Sequence, residues 1–265
     1  MVRILVALAL SSVLLASCAD VVPRLPVQDQ AVGGRFLVNF SAQVLREAGW
    51  HHLALRSVAA ADLHRIGSLL PGPPTTITVT IGDSDQIVAE VGTTGFTDPE
   101  TGAITVGLDA HWASEPADLT EELARTLARE VDRSVRITQG AGLGRTLLDE
   151  LVSAGEATNF AEAAFAGPAE PWIHALTATQ ECSQWRHLAP VLHRVGLHSE
   201  VLSGGQVNRA VFGESTMPAL TGQAIGYDIV AGYRSRHPGQ SWAALARASA
   251  HSILQGSGFQ PCSGA

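Results

Sequence analysis

The sequence predicts an α+β fold, mostly helical with a small mixed or antiparallel sheet, and three observations predict it. Residues 75–81 read Thr-Thr-Ile-Thr-Val-Thr-Ile, alternating and rich in β-branched side chains, as a strand does. Two short apolar runs between Phe96 and Leu108 flank the turn sequence Asp98-Pro99-Glu100-Thr101-Gly102. From Asp118 onward, apolar residues recur at helical spacing almost to the end of the chain. Helices, then a small sheet, then more helices is an α+β order.

Taken from the start, Arg3 precedes an apolar run from Ile4 to Leu15, broken only by Ser11 and Ser12, and Leu15-Ala16-Ser17-Cys18 follows. A run of roughly a dozen residues is too short to span a bilayer comfortably and fits an export signal. The ending Leu-Ala-Ser-Cys resembles the bacterial lipobox, in which the cysteine thiol receives a diacylglyceryl group and becomes the mature N-terminus. A plain secretory signal with an incidental cysteine is the alternative. The expectation is a signal peptide over 1–17, lipidation at Cys18, a Pro-, Val- and Gln-rich tether over 18–34, and one folded domain over 35–265. Such a chain is exported and lipid-anchored to the bacterial cell membrane or envelope, and the membrane is its first expected partner.

Phe36, Leu37, Phe40, Val44 and Leu45 share one face at helical spacing, and Leu53, Leu55, Val58, Leu63 and Ile66 make a second helical stripe. Leu69-Leu70-Pro71-Gly72-Pro73-Pro74 ends it. The strand at 75–81 is followed by a weaker one over 87–91 and by the pair around Asp98–Gly102. Helices are then predicted over 119–137, 145–166, 172–184, 188–195, 218–235 and 241–254, the last stopping at Gly256.

Composition narrows the function classes. The 265 residues are 46% hydrophobic and 16% charged, which is ordinary globular material. The formal net charge of −8 argues against a nucleic-acid partner, because phosphate binding needs a concentrated basic surface. Beyond Cys18 only Cys182 and Cys262 remain. In an oxidising compartment two cysteines suggest one disulfide; two unpaired thiols are the alternative. Two cysteines are too few for a structural zinc cage. No Gly-x-Ser-x-Gly, Walker-type or dinucleotide fingerprint is present.

The chemistry-bearing constellation is Thr126-Leu-Ala-Arg-Glu-Val-Asp-Arg133, then Leu147-Leu-Asp-Glu-Leu-Val-Ser-Ala-Gly155, then Gly226-Tyr-Asp-Ile-Val230. Together these resemble a bacterial family of predicted zinc-dependent proteases, related to the gluzincins, over about 77–254. The family's active helix reads approximately Thr-Leu-Ala-His-Glu-Tyr-His-His and its second helix Leu-Leu-Asp-x-Leu-Val-Ser-Glu-Gly. The resemblance implies a zincin-like, gluzincin-like fold and a zinc cofactor held by two histidines four apart on one helical face and a glutamate from the next helix. A glutamate beside the first histidine would polarise the metal-bound water.

In this sequence the first histidine position is Arg129, the second is Arg133, and the third-ligand position is Ala154. Only Glu130, at the general-base position, matches. A protonated guanidinium has no lone pair to give a metal, and a methyl group has none either. No bound zinc and no conventional catalysis are therefore expected; whether the chain is an enzyme stays open. Two readings of the arginines compete. One guanidinium could stand at the former zinc position, paired with Glu130, or Arg125, Arg129, Arg133 and Arg136 could form a solvated basic face offset by Glu121, Glu122 and Asp132.

The histidines show no ligand spacing: His51-His52 are adjacent, His187, His193 and His198 are six and five apart, and His237 sits in a turn sequence. Glu156, two residues beyond Ala154, is some 200° further round a helix and a poor substitute. The leading reading is a non-catalytic pseudoprotease that binds a peptide or an envelope protein in the old cleft. The alternatives are an active metallopeptidase using Glu130 with Glu156, Asp132 or a distant histidine, and a structural protein whose cleft is packed shut.

Overall fold

The computed structural model describes residues 30–32, 35–47, 52–81, 92–109, 116–140, 146–167, 170, 172–195 and 221–262. The expected signal peptide, Cys18, the strand expected at 87–91, and His51 and His198 lie outside them. In chain order the elements are β1 (Gln30–Val32), β2 (Phe36–Phe40), α1 (Ala42–Glu47), α2 (His52–Leu69), β3 (Thr75–Ile81), β4 (Thr93–Thr97) and β5 (Ile104–Leu108). The helical half follows as α3 (Pro116–Gln139), α4 (Leu147–Ala164), α5 (Ala178–Leu188), α6 (Thr221–Arg236), α7 (Trp242–Leu245) and α8 (Ala250–Ser257). The α+β class stands.

The sheet is mixed, in the order β1-β2-β3-β5-β4. β2 and β3 run parallel, as do β3 and β5, while β1 and β4 pair antiparallel at the two edges. Two expectations are corrected here. β1 lies inside the segment expected to be tether, so the sheet reaches back at least to Gln30. Phe36–Phe40 is a strand, not the start of a helix. Phe36, Val38 and Phe40 are each buried while Leu37 is 36% exposed, which is a period of two. The 3.6-residue stripe drawn through Leu37 and Leu45 mixed this short strand with the separate helix α1.

The buried strand face of Phe36, Val38, Ile77, Val79, Ile104 and Val106 packs with Leu55, Leu63 and Ile66 of α2 and with Leu123, Leu127, Val131 and Val135 of α3. The hairpin turn between β4 and β5 closes at Gly102, with φ of 71°, and Asp98 accepts from the backbone of Glu100 and Thr101.

α4 starts on a reciprocal cap, Thr146 accepting from the Asp149 backbone while the Asp149 carboxylate accepts from Thr146. It then crosses α6 at very short range. A Cβ added to Gly155 would lie 1.9 Å from the Gly226 carbonyl oxygen, and one on Gly226 would lie 2.0 Å from the Leu151 oxygen. Only glycines let these two backbones approach so closely, which gives the Ser-x-Gly and Gly-Tyr sequences a packing role. Asn159 reinforces the crossing by donating to the carbonyls of Gly155 and Tyr227.

Three more expectations change. The helix expected at 172–184 begins only at Ala178, because Thr177 caps it in a box with Gln180 and 172–176 form turns. At 188–195 there is a short 3₁₀ turn, Ala189–Val191; Pro190 has no N–H to donate, and the chain leaves the turn to bridge Thr146 through Val195. The expected helix 241–254 is two pieces, since Ser249 caps α8 afresh, and its stop is Gly258 at φ of 61° rather than Gly256. The Cys182 and Cys262 sulfurs stand at disulfide distance, with Cα atoms 4.8 Å apart, tying the chain beyond α8 to α5.

Candidate functional site

α3 places Arg129, Glu130 and Arg133 on the side facing β4, and α4 brings Ala154 to the same place. All four line a cavity of about 120 Å³. Thr93, Thr94 and Gly95 of the edge strand β4 form another wall, and Thr158, Trp172 and Gln223 complete it. The positions marked by the family resemblance therefore converge, and the space between them is not packed shut.

Glu130 is 1% exposed and both of its oxygens are engaged. The Thr97 hydroxyl donates to Oε2 at 2.7 Å, and Arg133 Nη1 donates to Oε1 at 2.5 Å. Gly95 is what lets the carboxylate lie against β4, because a Cβ there would sit 2.5 Å from Glu130 Cγ. Arg133 is the outermost member, its side chain one quarter exposed.

Arg129 is held more tightly. Its Nη1 is ion-paired with Glu170, its Nη2 donates to the Thr126 hydroxyl at 2.6 Å, and its guanidinium carbon lies 5.1 Å from the centre of the Trp172 ring. Burial pulls the Arg129 pKa down, opposed chiefly by Glu170. Trp172 in turn donates from Nε1 to the Thr158 hydroxyl at 3.2 Å, and Thr158 donates to the Ala154 carbonyl at 3.0 Å. The loop between α4 and α5 is thus strapped across α3 by Arg129.

Arg136 lies deeper, its side chain 1% exposed, and donates to Glu156 Oε2 at 2.6 Å and to the Ala248 carbonyl at 3.3 Å. The break between α7 and α8 frees that carbonyl. Both oxygens of the buried Asp132, and Oε1 of Glu156, have no partner among the described residues. Burial, then repulsion from Glu156, raises the Asp132 pKa well above the usual carboxylate range; burial raises Glu156 to about 7 against the pull of Arg136.

The solvated basic face is therefore overturned: Arg125, Arg129 and Arg136 are each at most 7% exposed. The ion-pair reading matches the geometry in a divided form. Arg133 pairs with Glu130 as expected, whereas Arg129 pairs with Glu170. Glu156 and Asp132, the alternative metal donors, do not line the cavity and face Arg136 instead. His187 and His193 are exposed, and His237 stacks on Tyr233 at 4.2 Å in its turn.

Sequence reasoning missed Glu170 and Trp172, which sit on an irregular Pro-flanked loop with no periodicity to mark them. It also missed Thr97 and Gly95, whose role depends on strand pairing. The donor set does not fit zinc. Two guanidiniums and a methyl group stand at the positions the resemblance implies for ligands, and among the described residues no three His, Cys, Asp or Glu side chains converge as a metal-holding group.

No curated protein matches the sequence, and no solved structure matches the fold. A family model does match, over residues 57–255, which takes in α3, α4 and α6 and every residue lining the cavity. The chain belongs to the predicted Zn-dependent protease family (DUF2268).

Proposed function

We propose that this chain is a lipid-anchored, non-catalytic member of its family, on a zincin-like fold, that holds a peptide or protein of the cell envelope in the former zinc cleft. The observation that carries the reading is the Arg133–Glu130 pair. The side chain at a ligand position is a cation, and it occupies the carboxylate that would otherwise act on a metal-bound water. Both Glu130 oxygens already accept hydrogen bonds, so the general-base position is committed to structure. The cavity that remains supports binding rather than a filled core. Anchoring rests on Leu15-Ala16-Ser17-Cys18.

The test is metal content of the full chain purified in detergent without chelators, beside the variant Arg129→His/Arg133→His/Ala154→Glu. The natural chain should carry far less than one zinc per chain. The triple variant should bind one, since the three positions border one cavity on two adjacent helices. A stoichiometric, chelator-removable zinc in the natural chain overturns the non-catalytic reading, and a folded triple variant without zinc overturns the assignment of the ligand positions. For the anchor, Cys18→Ala should move the chain out of the membrane fraction; its retention there would refute lipidation at Cys18.

A further inference from the structure

We infer that the cavity receives the carboxyl terminus of a peptide, with Arg133 gripping the carboxylate and Gln223 accepting the last residue's amide N–H. This deepens the peptide-binding reading above and rests on it.

Hydrogen-bonding capacity around the cavity is unevenly used. Arg129 has one arm on Glu170, the other on Thr126, and a face on Trp172. Glu130 has both oxygens taken, by Thr97 and Arg133. Arg133 is different: among the described residues only its Nη1 is engaged, while its side chain stays one quarter exposed on the cavity wall. A guanidinium is a planar fork of five donors that matches a carboxylate bidentately, so Nη2 and Nε remain available for an anion.

The complementary vacancy is on α6. Gln223 lines the same cavity, and its Oε1 is buried with no hydrogen-bond partner among the described residues. A buried acceptor left unmade is costly, and an incoming N–H would satisfy it. One chemical group offers an anion and an N–H within a few bonds of each other: the last residue of a peptide, with its free carboxylate and its amide nitrogen.

Size and charge agree. The cavity of about 120 Å³ has room for a carboxylate and a small residue. Ala154 contributes only a methyl group to the wall. Of the charged side chains lining the space, two are arginines and one is a carboxylate already paired.

The experiment is calorimetric titration of the full chain in detergent with N-acetyl-trialanine as the free acid, with its C-terminal amide, and with N-acetyl-Ala-Asp-Ala amide. The last carries its carboxylate on a side chain. The free acid should bind about tenfold or more tighter than either amide, a ratio within reach of one bidentate charged contact. In Arg133→Lys, which keeps the charge and the contact with Glu130 but loses the fork, that preference should shrink severalfold. In Glu130→Gln/Arg133→Gln, which removes the pair together and leaves no lone carboxylate in the wall, it should vanish. Gln223→Leu should weaken acid and amide alike.

Equal binding of acid and amide overturns the carboxylate site but leaves the peptide-binding reading standing. Binding of the aspartyl amide as tightly as the free acid overturns the terminal assignment. Failure of all three peptides to bind overturns both this inference and the reading beneath it.

Discussion

Arg133→Gln is the perturbation that most directly tests what holds the cavity wall. In the native chain the Glu130 carboxylate is 2% exposed and has two partners, Thr97 on one oxygen and Arg133 on the other. Replacing Arg133 leaves the Thr97 bond and strands Oε1 beside a glycine-lined strand. Breaking a fully buried pair by removing one partner costs about 3–5 kcal/mol, because the remaining charge stays desolvated. Here the Arg133 side chain is one quarter exposed, so water can enter its space and recover part of the loss. An expected cost of about 2–3 kcal/mol follows, worth about 5–10 °C in melting temperature for a domain of this size. Glu130→Gln should cost less, about 1 kcal/mol, since Arg133 can turn to water and the amide still accepts from Thr97. The double variant Glu130→Gln/Arg133→Gln should therefore be more stable than Arg133→Gln alone. A double-mutant cycle by chemical denaturation, with the disulfide intact, reads this out as a coupling of about 1–3 kcal/mol. Strict additivity, or an Arg133→Gln cost below about 0.5 kcal/mol, would show that the pair is a surface contact and that Glu130 is not held by it.

Two further outcomes follow from the same structure. Gly155→Ala puts a methyl group 1.9 Å from the Gly226 carbonyl oxygen, so α4 and α6 must separate by more than 1 Å; a loss of at least about 1–3 kcal/mol is expected, and an unchanged melting temperature would refute the backbone contact. Stability should also fall as pH rises from about 5 to 8. Burial raises the folded pKa of Glu156 to about 7, so the folded chain holds more protons than the unfolded chain across that window and loses its advantage as they leave, by up to about 3 kcal/mol. Asp62, raised to about 6 by burial, adds the same sign. Glu156→Gln should make the profile shallower, with Asp62, Asp132 and Glu181, also raised by burial, keeping part of the slope, measured as the denaturation midpoint at each pH; a midpoint that rises through the window would refute the assignment.

Much of the fold was legible because its strongest signals are local. The β-branched alternation at 75–81, the turn chemistry at Asp98–Gly102 and the long apolar stripes of α3 and α4 each declare themselves within one element. What failed depended on partners elsewhere. Phe36–Phe40 has a pattern that fits either period over five residues, and its pairing between β1 and β3 decides the matter. The break at 246–249 has no proline; Ser249 recaps the chain there, and the Ala248 carbonyl turns to Arg136. The same division runs through the site. Helical spacing places 129, 130 and 133 along one side of α3, whereas Ala154 on α4 is joined to them only by the family resemblance; all four line one cavity. The partner of Arg129 was harder, since Glu170 lies 41 residues away on a loop and no sequence rule links it to Arg129.

The side chains present around the cavity decide what fastens this region. Zinc held by two residues of α3 and one of α4 would cross-link those helices at a single point, and such a bond couples directly to folding. In this chain the work is divided among contacts that run in different directions. Arg133 turns back to Glu130 within α3 and, through Thr97, secures α3 to the sheet edge. Arg129 ties α3 to the loop that carries Glu170 and Trp172. The direct α3–α4 ion pair, Arg136 with Glu156, lies two turns along α3 from Arg129. The register of α4 is then set from its other side, by the Gly155–Gly226 crossing with α6 and by the apolar core through Leu151, Val152 and Phe160. Because no single contact joins all of these elements, losing any one of them should loosen its own neighbourhood and leave the others in place. A metal site would fail differently, with both helices released together when the ion leaves.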